Sequence, residues 1–234
     1  MLKSPAPKII EFYGLPGTGK TSVADLVIED MLSKGCRVQG RQDYESWLKG
    51  LGVYSKAVIV TKILVSICLN INMLFKYILT TKPLKSINIK LLILILYKNF
   101  SLKEFKKNCD SEYILLDQFL MQDLWSLFVF SSLYSQKFIE FIVGKHANFD
   151  CIFFFRLPAR KNAQRLYGRK GGTSRFDLSD YDDVLSLLIK KSRYTDEIYS
   201  FNGKCKVSYF VDASLDINKS KDAIIGKMYS YCAF

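Results

Sequence analysis

Four apolar runs stand out along the chain. They are Lys8–Tyr13, Tyr113–Asp117, Cys151–Phe155 and Val207–Asp212, and a shorter candidate lies at Cys36–Gln39. Most of them lack the polar alternation of a half-exposed strand, so they predict strands covered on both faces. Between them the period changes. Val23, Ala24, Leu26, Val27, Met31 and Leu32 recur at helical spacing, which predicts a helix from about Lys20 to Lys34, stopped by Gly35 as a C′ glycine. Further helices are predicted from Gln118 to about Lys145, over 180–199 and over 219–231. Strands that alternate with helices predict an α/β fold: a parallel sheet with helices on both faces.

Residues 56–100 depart from that rhythm. The segment is rich in Ile, Leu, Val and Phe, with lysines interrupting it and Pro83 placed to separate two helices. Its longest uncharged run, Ile63–Phe75, is 13 residues and includes Asn70 and Asn72. That is too short to span a bilayer. The expectation is a pair of buried core helices. Charge adds a second reading. Ten lysines and one acid, Glu104, give residues 56–107 a local charge of +9, the largest share of a net +12. Apolar helices fringed by lysine suit peripheral contact with an anionic membrane. Single-stranded nucleic acid is disfavoured, because the segment is aliphatic where stacking needs aromatic rings.

The 234 residues suit one domain. Six scattered cysteines without a C-x-x-C pair, and a start that lacks an apolar leader, point to a cytoplasmic protein with reduced thiols. A single histidine, His146, excludes a multi-histidine metal site.

The chemistry sits between the first strand and the first helix. Gly14-Leu15-Pro16-Gly17-Thr18-Gly19-Lys20-Thr21 reads G-x-x-x-x-G-K-[ST], the phosphate-binding loop. Glycines let successive N–H groups turn inward around a phosphate, and the following helix adds its positive end. Gly14, Pro16, Gly17, Thr18, Gly19, Lys20, Thr21 and Ser22 are therefore the expected ATP-binding residues, with Lys20 on the β/γ-phosphates and the Thr21 hydroxyl on Mg²⁺. Tyr113–Leu116 followed by Asp117 has the form of a strand that delivers a metal-binding aspartate, so Asp117 joins Thr21 as a metal residue. Arg165 and Arg169 share a helical face, and Gly171-Gly172 allows a turn before Arg175. The three arginines form an expected lid that closes over the transferring phosphoryl group. Asp117 and this basic cluster, with Lys20, are the expected catalytic set.

With these residues in order, the chain resembles the P-loop small-molecule kinases, in particular the nucleotide-kinase branch that includes thymidylate kinase. The resemblance rests on the loop, the Asp117-Gln118 pair, the lid arginines and the closing Val211-Asp212-Ala213-Ser214; it does not reach residues 45–110. It implies a three-layer fold with a five-stranded parallel sheet of order 2-3-1-4-5, and a single kinase domain over 1–234. Within that domain, about 40–110 would be a helical acceptor side and about 156–177 the lid. It implies ATP and Mg²⁺ as cofactors, a small-molecule acceptor, Ala213 beside the adenine, and a homodimer as in many such kinases. Two residues depart from thymidylate kinases: Pro16 replaces a charged loop residue, and Gln118 replaces an arginine. Arg41, Asp43 and Gln118 are the expected acceptor contacts. Arg41 would clamp a phosphate, whereas Asp43, Glu45 or Asp117 would serve a hydroxyl acceptor as base.

Rival nucleotide-binding classes lack their marks. The chain has no D-x-x-G, no N-K-x-D and no L-S-G-G-Q run. A nucleotide-gated membrane adaptor, or an ATPase without a small acceptor, remains the contrasting class.

Overall fold

The computed structural model describes residues 6–69, 86–130, 149–168, 180–200 and 207–232. In chain order the elements are β1 (Lys8–Gly14), α1 (Lys20–Ser33), β2 (Val38–Gln39), α2 (Arg41–Gly50), α3 (Val53–Leu69), α4 (Ser86–Asn108), β3 (Tyr113–Asp117), α5 (Leu120–Phe130), β4 (Cys151–Arg156), α6 (Ala159–Tyr167), α7 (Tyr181–Ser200), β5 (Val207–Asp212) and α8 (Ile217–Cys232). The strands form one parallel sheet in the order β2-β3-β1-β4-β5, as the resemblance implied. All the strands point the same way, so their C-terminal ends, and the loops that follow, gather along one edge of the sheet. The phosphate loop leaves the central strand at that edge, where open α/β sheets bind ligands.

The alternation of side chains along β1 sorts the two apolar layers. Ile10 and Phe12 face a core shared with Val23, Val27 and Met31 of α1 and Ile224 and Met228 of α8. Ile9 and Tyr13 face the opposite core, built with α4, α5 and α7. Aromatic rings fill much of the sheet interior; Phe12, Phe153, Phe154 and Phe155 are all fully buried.

Glu11 lies between Ile10 and Phe12 and is fully buried. Its Oε1 accepts the Met121 N–H at 2.9 Å, at the N-terminus of α5, where the helix leaves an orphan donor. Burial pushes this carboxyl up to about 8, against the lowering effect of that N–H; Asp123 raises it further and Lys98 lowers it. A carboxyl with a raised folded value favours the native state while protonated. Its contribution is complete below the ordinary carboxylate range and fades as pH climbs to about 8. Glu11→Gln keeps the acceptor and removes the titration. We expect its stability relative to the wild type to improve between pH 5 and pH 8, measured by urea unfolding at both. A difference independent of pH would refute this account of Glu11.

The predicted pair of buried helices is buried on one side only. Ile59 and Ile63 of α3, and Leu91, Ile95, Leu96, Leu102 and Phe105 of α4, lie in the core. Val60, Leu64, Val65 and Leu69 of α3, with Ile93 and Leu94 of α4, are exposed. The expectation of core helices is corrected to that extent. The cause is that these helices are apolar around most of their circumference, whereas α2, α5 and their own mutual contact cover one side. Pro83 and His146 lie outside the described residues. Among those described, no single helix is long and apolar enough to cross a membrane, and α2 and α3 meet at 108°.

Candidate functional site

The phosphate loop is shaped by positive φ at its glycines. Gly14, Gly17 and Gly19 have φ of 154°, 88° and 84°. Gly14 also lies so close to β4 that a Cβ there would come within 2.4 Å of the Phe155 carbonyl oxygen. At Gly17 a Cβ would meet Leu166 and Asn162 of α6 at 3.0 and 3.1 Å. Gly19 faces open space and caps α1. The loop is thus pinned against β4 and α6 on two sides and open on the third.

Lys20 is 3% exposed and turned into the loop. Its ammonium donates to the Gly14 and Leu15 carbonyl oxygens, both at 2.8 Å, and to Thr18 Oγ1 at 3.3 Å. Thr18 in turn donates to the Leu15 carbonyl at 2.9 Å. Lys20 therefore braces the loop from inside. Pro16 is half-buried and Ser22 exposed at the loop's outer side.

The end of β3 meets the start of α1. The Thr21 hydroxyl donates to Asp117 Oδ2, and Gln118 Nε2 donates to Thr21 Oγ1 at 3.2 Å. Gln118 itself adopts a left-handed backbone, φ 56°, which turns the chain back from β3 toward α5. Arg41 approaches from α2: Nη1 lies 3.7 Å from the same Asp117 oxygen, and Nε donates to Glu45 at 2.8 Å. Lys20, Thr21, Asp117, Gln118, Arg41 and Glu45 thus converge on one edge from three elements distant in sequence.

Not every candidate joins them. The stretch from Gly40 forms α2, and Asp43 accepts the Gly40 N–H at 2.7 Å to cap that helix. This is half a capping box, since glycine has no side chain to reciprocate. Asp43 is therefore occupied by its helix, and Glu45 is the acidic side chain of α2 that reaches the cluster through Arg41. Ala213 is buried just beyond β5, its N–H bonded to the Arg156 carbonyl at 2.9 Å. The Asp212 carboxylate accepts the Ser214 hydroxyl and N–H, which hold it below the usual range. Arg165 is exposed near the end of α6, while Arg169 and Arg175 lie outside the described residues. A cavity of about 490 Å³ opens beside the loop, between β4, β5 and α7, with Leu15, Phe154, Phe210 and Thr195 in its walls.

The residues present fit a nucleotide phosphate and a hard cation. A glycine-turned loop, open on one side and holding a buried ammonium, matches a phosphate. A hydroxyl and a carboxylate on one hydrogen bond match the oxygen ligands and small protein share that Mg²⁺ prefers. Among the described residues no three His, Cys, Asp or Glu side chains cluster to hold a metal by themselves.

The comparisons bear on the fold. No protein-family model matches the sequence, and neither does any curated protein. Solved structures of deoxyadenosine kinase from M. mycoides are similar over nearly the whole chain. The form with the products dCMP and a flexible dCDP has a TM-score of 0.56 at 18% identity, covering 95% of this chain and 99% of that one. The dCTP-bound form has a TM-score of 0.53 at 18% identity, with the same coverage. The dATP-bound form has 0.51 at 18% identity, covering 94% and 98%. At this identity the likeness is one of fold: an α/β architecture with a five-stranded parallel sheet.

Proposed function

We propose that this protein is a kinase that transfers the γ-phosphoryl group of ATP to a nucleoside-type acceptor. The observation that carries the proposal is the meeting of Thr21, Asp117 and Arg41 beside a complete phosphate loop, a site with both a hard-cation donor set and an acceptor-side cation. When bound, Mg-ATP would supply the phosphoryl group and the ion that neutralises its oxygens. Lys20 would exchange the Gly14 and Leu15 carbonyls for phosphate oxygens, and Thr21 and Asp117 would hold the ion. Arg41 would turn toward the acceptor, leaving Glu45 as the carboxylate free to take its proton. Arg165 is the described part of the lid, and Arg169 and Arg175 would complete it. The single domain, with its acceptor side at about 40–110, belongs to the same proposal. Support for a nucleoside over a sugar comes from the fold shared with deoxyadenosine kinases, and Gln118 in place of arginine argues against thymidylate. The deciding experiment is acceptor-dependent ADP release with Mg-ATP across nucleosides, nucleotides and sugars.

The exposed aliphatic strip of α3 and α4 favours a second element of the proposal, peripheral contact with an anionic membrane at the cytoplasmic face. Val60, Leu64, Val65, Ile93 and Leu94 are exposed there, beside exposed Lys56 and Lys90. The one acid of these two helices, Glu104, is paired with Lys62 and Lys107. The protein should float with phosphatidylserine vesicles at low salt and detach at high salt. Protein that stays in solution at low salt as a homodimer would show that a second copy covers the strip.

A further inference from the structure

Asn162 sits in the middle of α6 and is wholly buried. Neither its Nδ2 nor its Oδ1 has a hydrogen-bond partner among the described residues. A buried carboxamide with both ends unpaired is costly, and such groups call for an explanation. Its position supplies one. A Cβ on Gly17 would lie 3.1 Å from Asn162 Oδ1 and 3.3 Å from its carbonyl oxygen, so the side chain rests against the back of the phosphate loop. Three residues further along the same helix is Arg165, exposed and at the root of the expected lid.

We propose that Asn162 is a positioning residue that couples the phosphate loop to the lid helix, its carboxamide taking up loop backbone groups when a nucleotide phosphate enters. The inference rests on the nucleotide-binding reading of the loop. Without nucleotide, the Lys20 ammonium satisfies the carbonyls of Gly14 and Leu15. Once that ammonium turns to a phosphate, loop carbonyls lose a donor, and Nδ2 of Asn162 is a buried donor on the adjoining helix. The acceptor, Oδ1, faces the loop at Gly17, where backbone N–H groups reorient around the phosphate. The filled loop therefore holds α6 in one place, and with it Arg165. An apolar residue here would pack as well against Gly17 and Leu166 but would transmit nothing.

The test compares Asn162→Leu and Asn162→Ala with the wild type in the full chain, using Mg-ADP as the probe. Removing an unpaired buried amide should leave the melting temperature of the nucleotide-free protein unchanged or raised. The dissociation constant for Mg-ADP, by calorimetry, should rise about tenfold, the scale of one to two lost hydrogen bonds. The turnover number should fall by a similar factor while the acceptor KM stays within about twofold, since the acceptor side is untouched. A destabilised free protein with unchanged Mg-ADP affinity would make Asn162 a packing residue and overturn the proposal. Should the variants fail to fold, the Asn162 side-chain amide resonances of the wild type decide. They must move downfield and exchange more slowly on adding Mg-ADP, and unmoved resonances overturn the proposal. Wild-type protein that binds no Mg-ADP would refute the kinase reading itself; wild-type binding with unaffected variants refutes only the role of Asn162.

Discussion

Lys20→Ala should lower phosphoryl transfer by a factor of about 100 or more, the range found when one charge-stabilising donor is removed from a transition state. Among the described residues Lys20 is the only ammonium inside the loop, and it already reaches the carbonyls of Gly14 and Leu15 and the hydroxyl of Thr18. A modest loss of stability should accompany the loss of activity. Two carbonyls would lose a charged donor, though the open side of the loop lets water replace it. We expect a drop of several degrees in melting temperature, on the scale of about 1–3 kcal/mol. Lys20→Met, which keeps most of the buried stem, should recover part of the stability and none of the activity. Activity and melting curves on both variants make the check. Near-normal transfer in a folded Lys20→Ala protein would remove the lysine from the chemistry.

Asp117→Asn should also cost about two orders of magnitude in kcat/KM, by a different route. Asn keeps the shape and an acceptor for the Thr21 hydroxyl, so the end of β3 should hold its place. What it loses is the negative charge that a hard cation needs, and that Arg41 faces at 3.7 Å. The half-saturating Mg²⁺ concentration should rise, while affinity for ATP measured without metal should change little. Steady-state rates over a Mg²⁺ titration distinguish the two. Unchanged activity with an unchanged Mg²⁺ requirement would leave Asp117 as a strand terminus that supports Thr21 alone.

Much of this architecture was legible in the residues. Doubly buried strands carry little polar alternation, so β1, β3 and β4 stood out. β5 was found by its β-prone run although it lies half-exposed at the sheet edge, and the G-x-x-x-x-G-K-[ST] spacing placed a loop between strand and helix. The strand order came from the resemblance, because pairing between parallel strands leaves no local mark. The expected face of α3 and α4 was misjudged for a physical reason. A helix apolar on nearly all sides has no period to show which side meets the core. Asp43 was expected to contact the acceptor, yet it closes onto the Gly40 N–H and starts a helix. Capping at a glycine gives a weaker signal than Ser or Thr would. Two contacts had no local signal at all. Glu11 meets the Met121 N–H 110 positions away. Asn162 meets Gly17 from a different layer of the fold, in a helix whose polar composition otherwise suggests a solvated surface.

The measurement closest to the central claim follows the phosphoryl group itself. Wild-type protein, Mg-ATP labelled in the γ-phosphate and a panel of nucleosides would be incubated together and the products separated by mass. Transfer predicts that the label appears in a nucleoside monophosphate, mole for mole with ADP, and that the label vanishes with Lys20→Ala. Label found only in inorganic phosphate, at a rate indifferent to every nucleoside offered, would contradict the nucleoside-kinase assignment and leave an ATPase on this fold.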